Sequence, residues 1–336
     1  MKLVIEEHVP LAQFTTFKIG GLARFFCTVT DEGQLLEAVQ FSKDQKIRIL
    51  ILGGGSNVLI SDEGFNGLVI KMEIETMTTN DLVVSAGAGI MWDDLVANTI
   101  EQGLFGLENL SAIPWTVGAA PVQNIGAYGA EVSGVIQTVR ALDTTTLKFV
   151  ELANEQCAFG YRDSIFKRQK GRYIITRVDF RLSKVGNTNI SYKDLRIYFE
   201  GKKTAPSPVE VREAVINIRW NKLPDWKLWG TAGSFFKNPV VSAQKYAELK
   251  ETYPDMPGFL EQSGMFKIPL GWILDKVCNV KGMNKGNVSV FEKQALVLVA
   301  KPGAHSSEVM ELAHELMHCV KEKTGIEIEG EVEWVN

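Results

Sequence analysis

Three consecutive glycines, Gly53, Gly54 and Gly55, directly follow an apolar run in ILILGGGSNVLI, and Ser56 and Asn57 come next. Glycine has no Cβ atom, so the backbone N–H groups of this segment can approach an anion closely. That chemistry suits a phosphate or pyrophosphate. The spacing matches neither GxGxxG nor GxxxxGK[ST], so an ordinary tight turn is an equally good interpretation of these residues alone.

A second segment, Asn109–Ala130, has no charged residue in 22 positions, where the 23% charged fraction of the chain predicts about five. We call it the uncharged loop. Long irregular loops are usually functional or disordered, and the apolar content here argues against disorder. We therefore expect a ligand against it, hydrogen-bonded by Gln123 and Asn124, with a buried crossover as the alternative. The small residues that would let its backbone approach the ligand are Gly118, Ala119, Ala120, Gly126 and Gly129.

The sequence HELMH matches the HExxH signature of zinc metalloproteases, with His314 and His318 one helical turn apart. An apolar stripe at helical spacing lies beside them and consists of Val309, Leu312, Ala313, Leu316, Met317 and Val320. This stripe predicts that both histidines face solvent. The extended metzincin pattern also fails, because Lys321 and Thr324 occupy its glycine and histidine positions. We expect no metal site.

The composition indicates a globular protein that stays in the cytoplasm. The chain has 336 residues and is 45% hydrophobic, which predicts two or three domains. Its net charge of −4 argues against a nucleic-acid partner. Glutamates interrupt the apolar start, and no apolar run is long enough for a membrane span. The four cysteines form no CxxC pair and are expected to be reduced. We expect a monomer.

Pattern changes along the chain predict an α+β fold in three parts. Residues 1–71 contain short strands around one helix that begins after Asp31, and residues 72–223 are mostly strands. Residues 224–325 contain three predicted helices around the strand ALVLVAKP. Residues 326–335 alternate as IEIEGEVEWV, and we expect the terminal segment 326–336 to return as a strand that packs near the first part.

The chain resembles the UDP-N-acetylenolpyruvoylglucosamine reductase family nearly from end to end. The matching pieces, in order, are TTFKIGG, LGGGSNVL, GLENLSAIPWTVGAAPVQNIGAYG, FGYRDSIFK, SYKDL, KLPD, AGSFFKNPVVSA, LGWILDK, KGM, QALVLV and EGEVEW. Trp115 departs from the glycine usual in the family's IPG turn, and Gly330 replaces a frequent proline. The segment around Tyr192 resembles the tyrosine loop found in one of the family's two structural types.

The resemblance implies a two-part FAD-binding, oxidase-like (PCMH-type) domain, here residues 1–71 and 72–223, with a smaller α+β substrate-binding domain at 224–325. It implies noncovalent FAD, because His8, His305, His314 and His318 all lie outside the two loops, and NADPH as the hydride donor. The implied FAD contacts are Gly53, Gly54, Gly55, Ser56, Asn57, Val58, Ile113, Gly118, Gln123, Asn124, Gly126 and Ala127.

The family's reaction reduces an enolpyruvyl ether on a UDP-sugar to UDP-N-acetylmuramate, in peptidoglycan precursor synthesis. It needs a proton donor, a cation for the carboxylate and a further donor for the enolate-like intermediate. By resemblance these are Ser234, Arg162 and Glu331, and we expect burial to raise the pKa of Glu331. The implied contacts to the UDP-sugar are Tyr161, Tyr192, Lys222, Asn238 and Gln294.

Two other functions are compatible with parts of this pattern: a different flavin oxidase or dehydrogenase on the same fold, and a noncatalytic nucleotide-binding module. Without the resemblance, Ser234 is an ordinary turn residue, Arg162 and Asp163 a surface ion pair, and Glu331 an exposed strand residue. An oxidase does not need the residues that bind the UDP-sugar. A binding module does not need a proton donor.

Overall fold

The computed structural model describes residues 2–186, 188–261 and 263–336. Close packing of the backbone divides them into two compact units. The first unit comprises the described parts of 1–9, 23–54 and 66–221, and the second comprises those of 10–22, 55–65 and 222–336. The three-part division at 71/72 and 223/224 stays a prediction.

The chain forms many short strands with α-helices between some of them. The strands are β1 (Glu6–Pro10), β2 (Leu22–Val29), β3 (Arg48–Leu52), β4 (Val58–Ile60), β5 (Phe65–Met72), β6 (Met77–Asn80), β7 (Val83–Gly87), β8 (Gly126–Ala127), β9 (Ala130–Glu131), β10 (Ile136–Asp143), β11 (Lys148–Ala153), β12 (Tyr173–Arg181), β13 (Val240–Val241), β14 (Phe259–Leu260), β15 (Phe266–Lys267), β16 (Asn284–Lys285), β17 (Val288–Val290), β18 (Leu298–Ala300) and β19 (Glu333–Val335). The helices are α1 (Glu32–Gln45), α2 (Trp92–Glu101), α3 (Ile165–Arg168), α4 (Lys193–Tyr198), α5 (Pro208–Lys222), α6 (Ala243–Thr252), α7 (Leu270–Trp272) and α8 (Ser306–Thr324).

The first unit contains two larger sheets. One has the order β1-β2-β5-β3, with β3 and β5 parallel, and the other has the order β11-β10-β12-β7-β6 with antiparallel pairs. A single apolar cluster includes side chains from both sheets, among them Val29, Leu68, Val84, Val139 and Phe180. Burial of each such side chain contributes about 1.5–3 kcal/mol to the free energy of folding, so this shared core holds the two sheets together.

Helix α1 begins where local chemistry predicts. The Asp31 side chain accepts a hydrogen bond from the Gln34 N–H at 2.9 Å, which confirms the predicted N-cap. Leu35, Ala38 and Val39 are buried at helical spacing. At its other end the backbone turns left-handed at Lys46.

The second unit contains two small three-stranded sheets, β13-β15-β14 and β16-β17-β18, together with the parallel pair β4 and β19. Its core gathers apolar side chains from α7, the π-helical stretch Ile273–Val277 that continues it, and α8. The predicted helix LGWILDKV is therefore one α-helical turn followed by a π-helical stretch. None of the helices in the described ranges has the length and apolarity that crossing a bilayer would need.

The terminal strand is shorter than the alternation predicts. Only Glu333–Val335 forms a strand, with Val335 aligned to Ile60 of β4. Upstream, Ile326 and Ile328 are buried while Glu327 and Glu329 are exposed. The alternation at 326–329 therefore reflects which side chains pack on the core, and the strand ladder itself begins later.

The helix that carries HELMH presents its histidines to water. His314 and His318 are exposed, which confirms the predicted orientation, and the His318 imidazole lies 3.1 Å from the Glu322 carboxylate. Val309, Leu312, Ala313, Leu316 and Val320 are buried, and Met317 is partly buried. Among the described residues, no group of three or more His, Cys, Asp or Glu side chains is arranged to hold a metal ion.

Candidate active site

The first glycine of GGGSN packs directly on the uncharged loop. A Cβ atom at Gly53 would lie 2.3 Å from Thr116 Oγ1, so only glycine allows this approach. Lys71, on β5, donates from Nζ to the Gly53 carbonyl at 2.8 Å, and burial lowers the pKa of its ammonium. No sequence motif indicates a role for Lys71. Its position next to a glycine-rich turn supplies positive charge for an anionic ligand.

Gly55, Ser56 and Asn57 of GGGSN belong to the second unit and are equally constrained. Gly55 has a φ of +62°, and a Cβ there would lie 1.9 Å from the Phe14 carbonyl oxygen. Ser56 is buried. Asn57 binds the C-terminal segment twice: its Nδ2 donates to the Glu331 carbonyl at 3.1 Å, and its own carbonyl accepts from the Glu333 N–H at 2.9 Å. The structure thus joins a predicted FAD contact to a predicted catalytic residue.

Asp93 on α2 anchors the beginning of the uncharged loop. Its carboxylate accepts the Ala112 N–H at 2.6 Å, where the backbone is left-handed with a φ of 58°. Arg212 of α5 donates to both carboxylate oxygens, at 2.5 and 2.9 Å. Burial alone would raise the pKa of Asp93, but the hydrogen bonds from Arg212 and Ala112 lower it below its usual value. Ile113, a predicted FAD contact, is buried in the next position.

Asp93→Asn is expected to lower the free energy of unfolding by about 1–2 kcal/mol at pH 7. A charge-assisted, bidentate contact is lost, but the Asp93 side chain is about a third exposed, so solvent screens the interaction. A depressed pKa stabilises the fold above the unfolded value, about 3.9, and this stabilisation is lost as the pH falls below it. The difference from wild type should therefore shrink below that pH in urea titrations. Exposed Asp94→Asn is the control, and an equal loss in both variants would contradict this role for Asp93.

Arg162 lies at the tip of a tight turn. Gly160 and Asp163 exchange both backbone hydrogen bonds, at 3.0 and 3.2 Å, and Arg162 between them has a left-handed φ of 52°. Its Nη2 donates to the Gly126 carbonyl of the uncharged loop at 2.9 Å, and its guanidinium carbon lies 5.5 Å from the ring centre of Tyr161. The predicted carboxylate-binding arginine is thereby brought against a predicted FAD-binding segment.

Gln123 and Asn124 are both buried within the same part of the first unit. Asn124 donates from Nδ2 to Glu131 Oε2 at 2.9 Å and to the Gly160 carbonyl at 3.1 Å, while its Oδ1 accepts the Ser133 N–H at 3.0 Å. These three bonds use most of the capacity of its amide. The side chain therefore fixes the loop, and its predicted contact with FAD is left to the backbone or to the remaining acceptor position.

Ser234 and Glu331 lie on adjacent backbone segments of the second unit. The Phe235 carbonyl accepts the Glu331 N–H at 2.8 Å, and the Phe235 N–H donates to the Leu296 carbonyl at 2.8 Å. Ser234 itself forms a bridge to Val297. The segment that carries the predicted proton donor is therefore paired on both sides, and the side chains of Ser234 and Glu331 are each partly buried.

The predicted sugar-binding residues fall into separate places. Asn238 Oδ1 accepts the Leu270 N–H at 2.9 Å, and Gln294 Oε1 would lie 2.9 Å from a Cβ at Gly271, so both belong to the start of α7. Lys222 is exposed. In the first unit, Tyr192 packs edge-on against Tyr128 of the uncharged loop with ring centres 5.4 Å apart, and burial raises the pKa of both tyrosines. The roles of all these residues stay predictions.

The two loops fit the flavin cofactor that the resemblance implies. The glycines at 53 and 55 permit close backbone approach, no acidic side chain lies in GGGSN or in the uncharged loop, and the Lys71 ammonium donates to the Gly53 carbonyl. A pyrophosphate needs this combination of N–H donors and positive charge. The buried side chain of Ile113 adds an apolar surface suited to a ring system.

Comparison with known proteins agrees with this fit. A family model described as an FAD binding domain matches residues 23–146, and one described as UDP-N-acetylenolpyruvoylglucosamine reductase, C-terminal domain, matches residues 224–335. These matches and the mixed sheets and helices confirm the predicted α+β class and the FAD-binding, oxidase-like fold.

Relatives and a solved structure match along nearly the whole chain. Proteins named UDP-N-acetylenolpyruvoylglucosamine reductase from Cupriavidus pinatubonensis and Neisseria gonorrhoeae are 44% and 41% identical, covering 97% and 98% of this chain and 97% of their own lengths. The crystal structure of the Thermus caldophilus UDP-N-acetylenolpyruvylglucosamine reductase aligns with a TM-score of 0.71 at 25% identity, over 99% of this chain and 100% of its own. The chain therefore belongs to the UDP-N-acetylenolpyruvoylglucosamine reductase family of FAD-dependent oxidoreductases.

Proposed function

We propose that this protein uses noncovalently bound FAD and NADPH to reduce the enolpyruvyl ether of UDP-N-acetylglucosamine-enolpyruvate to UDP-N-acetylmuramate, a peptidoglycan precursor, and that it acts as a cytoplasmic monomer. The observation that carries the proposal is the pairing of the Ser234 and Glu331 segments through the Phe235 carbonyl. A proton donor and a second acidic group on adjacent segments match what the reduction of an enol ether needs.

The reaction adds a hydride to the terminal methylene carbon of the substrate and a proton to the neighbouring carbon. Negative charge develops on the carboxylate and the enolate oxygen between these two events. The Arg162 guanidinium binds this carboxylate, since its planar fork matches two oxygens and its charge stabilises the electron-rich intermediate. The hydrogen bond from Nη2 to the Gly126 carbonyl orients that fork.

Ser234 donates its hydroxyl proton to the carbon beside the carboxylate. Its partly buried position limits competing water, and the backbone pairing on both sides of its segment restricts the movement of the hydroxyl. Glu331, also partly buried, stabilises the enolate-like oxygen as a neutral donor. FAD, when bound, supplies the hydride and is itself reduced by NADPH.

The UDP part of the substrate requires contacts distinct from those of the reacting carbons. We assign Lys222 to the diphosphate, Tyr192, Asn238 and Gln294 to the rest of the UDP-sugar, and Tyr161 to its pyruvyl or sugar end. A positively charged, exposed lysine suits a diphosphate, whereas amides and phenols suit hydroxyl and acetamido groups.

The purified protein is expected to carry FAD or to take it up when the cofactor is added. The support is Lys71, which donates to the Gly53 carbonyl, and the close approach of Gly53 to Thr116 of the uncharged loop, an arrangement that suits a pyrophosphate. The measurement is the flavin absorbance spectrum after gel filtration, with FAD quantified after acid release, which also shows that it is noncovalent. A colourless protein that binds no added FAD would remove the central part of the proposal.

Anaerobic mixing tests the complete reaction. NADPH should bleach the flavin, and subsequent addition of the enolpyruvyl UDP-sugar should restore its absorbance with formation of UDP-N-acetylmuramate. An oxidase on the same fold would instead be reoxidised quickly by oxygen and not by the sugar. NADH added in place of NADPH measures the preference for the reductant.

A further inference from the structure

Lys167 connects two parts of the candidate site. Its ammonium Nζ donates to the Arg162 carbonyl at 3.0 Å and to Gln123 Oε1 at 3.1 Å. Gln123 belongs to the uncharged loop, and Arg162 is the proposed carboxylate ligand. One cation therefore binds both the turn that carries Arg162 and a buried residue of the loop predicted to contact FAD.

The Arg162 turn needs such an anchor because its backbone is strained. A residue with a Cβ atom in the left-handed region is less stable than in its usual conformations, and it stays there only where surrounding contacts impose it. Two backbone hydrogen bonds between Gly160 and Asp163 close the turn, and the Asp163 carboxylate accepts a further hydrogen bond from Arg168 of α3. The Lys167 ammonium acts on the carbonyl of the strained residue itself.

The helix that carries Lys167 is also held in place. It lies on α3, whose N-cap Ser164 is fully buried, accepts the Lys167 N–H at 3.3 Å and donates from Oγ to the Val122 carbonyl at 2.5 Å. Together with the bonds of Asn124 to Gly160 and of Arg162 to Gly126, these contacts join the turn to residues 122–126 from several directions. Among the side chains in these contacts, Lys167 contributes a positive charge and joins Arg162 to Gln123.

We propose that Lys167 is a positioning residue for the half-reaction in which the reduced flavin reduces the substrate. It holds the Tyr161–Arg162 turn against the uncharged loop so that the Arg162 guanidinium meets the substrate carboxylate. The inference rests on the proposed function for its kinetic consequences. Its structural content, the rigidity of the 160–163 turn, is independent of the reaction.

Lys167→Met keeps the length of the side chain and removes its donors and charge. In the FAD-loaded enzyme, we expect reoxidation of the reduced flavin by the enolpyruvyl sugar to fall about 100-fold, since small misplacements of a positioning group cost rates of this order. Reduction of the flavin by NADPH should change by less than about threefold, since it does not use the Arg162 guanidinium. Lys167→Arg, which retains a cation with several donors, should recover part of the loss.

A double-mutant cycle separates positioning from an independent effect. If Lys167 acts through Arg162, adding Lys167→Met to Arg162→Met should change the substrate half-reaction by less than about threefold. An equal loss in both backgrounds would overturn the proposal, as would a wild-type rate in the single variant. Exposed Lys148→Met, on β11, is the matched control and should behave as wild type.

Hydrogen exchange gives a readout that does not depend on catalysis. The Gly160 and Asp163 amides, which pair with each other, should exchange at least about tenfold faster in Lys167→Met than in wild type or Lys148→Met, because the turn opens more often. Unchanged protection would overturn the inference. If wild type fails to reduce the sugar while protection still falls in the variant, the proposed function is wrong and the positioning role stands. Should Lys167→Met not fold, Lys167→Gln provides the same tests.

Discussion

Ser234→Ala is expected to slow reoxidation of the reduced flavin by the enolpyruvyl sugar by about 10²–10⁴-fold, the usual contribution of a general acid. Reduction of the flavin by NADPH should be nearly unaffected, because that step transfers only a hydride. Alanine preserves the backbone bridge between residue 234 and Val297, so the fold of this segment should survive. Stopped-flow absorbance of the flavin follows both half-reactions in one protein.

The control for this variant is Ser307→Ala, an exposed serine in the same unit on α8. It should leave both half-reactions at wild-type rates. If Ser234→Ala retains a substrate half-reaction within about threefold of wild type, Ser234 is a structural turn residue and another group donates the proton. A parallel loss in both half-reactions would instead indicate damage to FAD binding.

Gly55→Ala is expected to lower the free energy of unfolding by about 2–5 kcal/mol. A left-handed φ of +62° costs an alanine about 1–2 kcal/mol, and its Cβ would lie 1.9 Å from the Phe14 carbonyl oxygen, which forces a backbone shift that costs a further 1–3 kcal/mol. Because Gly55 lies within GGGSN, the segment predicted to contact FAD, we also expect less bound FAD. Urea titration and flavin content after purification measure the two effects.

Gly303→Ala separates backbone strain from the steric clash. Gly303 lies in the same unit and has a similar φ of +84°, but a Cβ there meets nothing within 4 Å. Its substitution should cost only the left-handed conformation, about 1–2 kcal/mol, and leave the flavin content unchanged. Equal destabilisation by the two substitutions would show that close approach of the backbone at Gly55 contributes nothing to stability.

Local chemistry allowed much of the fold to be predicted from the sequence. The N-cap at Asp31 and the solvent-facing histidines of α8 depend on residues a few positions apart, and both predictions are confirmed. The predicted length of β19 is wrong, because a two-residue alternation indicates which side chains are buried and not which backbone groups form hydrogen bonds. The pairing that defines the strand comes from Val58–Ile60, far away in the chain.

In the candidate site too, some features could be predicted from the sequence and others could not. The absence of charge in the uncharged loop marked it as functional, and the family resemblance supplied roles for Arg162, Ser234 and Glu331. Neither source indicated that Asp93 binds the Ala112 N–H or that Lys167 joins Arg162 to Gln123. These contacts depend on which backbone groups the fold brings near each side chain, and a linear sequence does not show that. Lys167 does lie within the matched sequence FGYRDSIFK, and this was the one signal in the sequence that pointed to it.

The parallel pair of β4 and β19 has a consequence for synthesis on the ribosome. Asn57 and its partner Glu331 are 274 residues apart, so at about 5–20 residues per second the segment around β4 waits roughly 15–55 s for its partner. During that interval its strand edge and the apolar residues beside it, including Leu59, lack their final neighbours. Nascent chains should therefore need chaperone protection until translation is nearly finished, and products truncated before Glu331 should aggregate rather than accumulate as a folded, inactive enzyme.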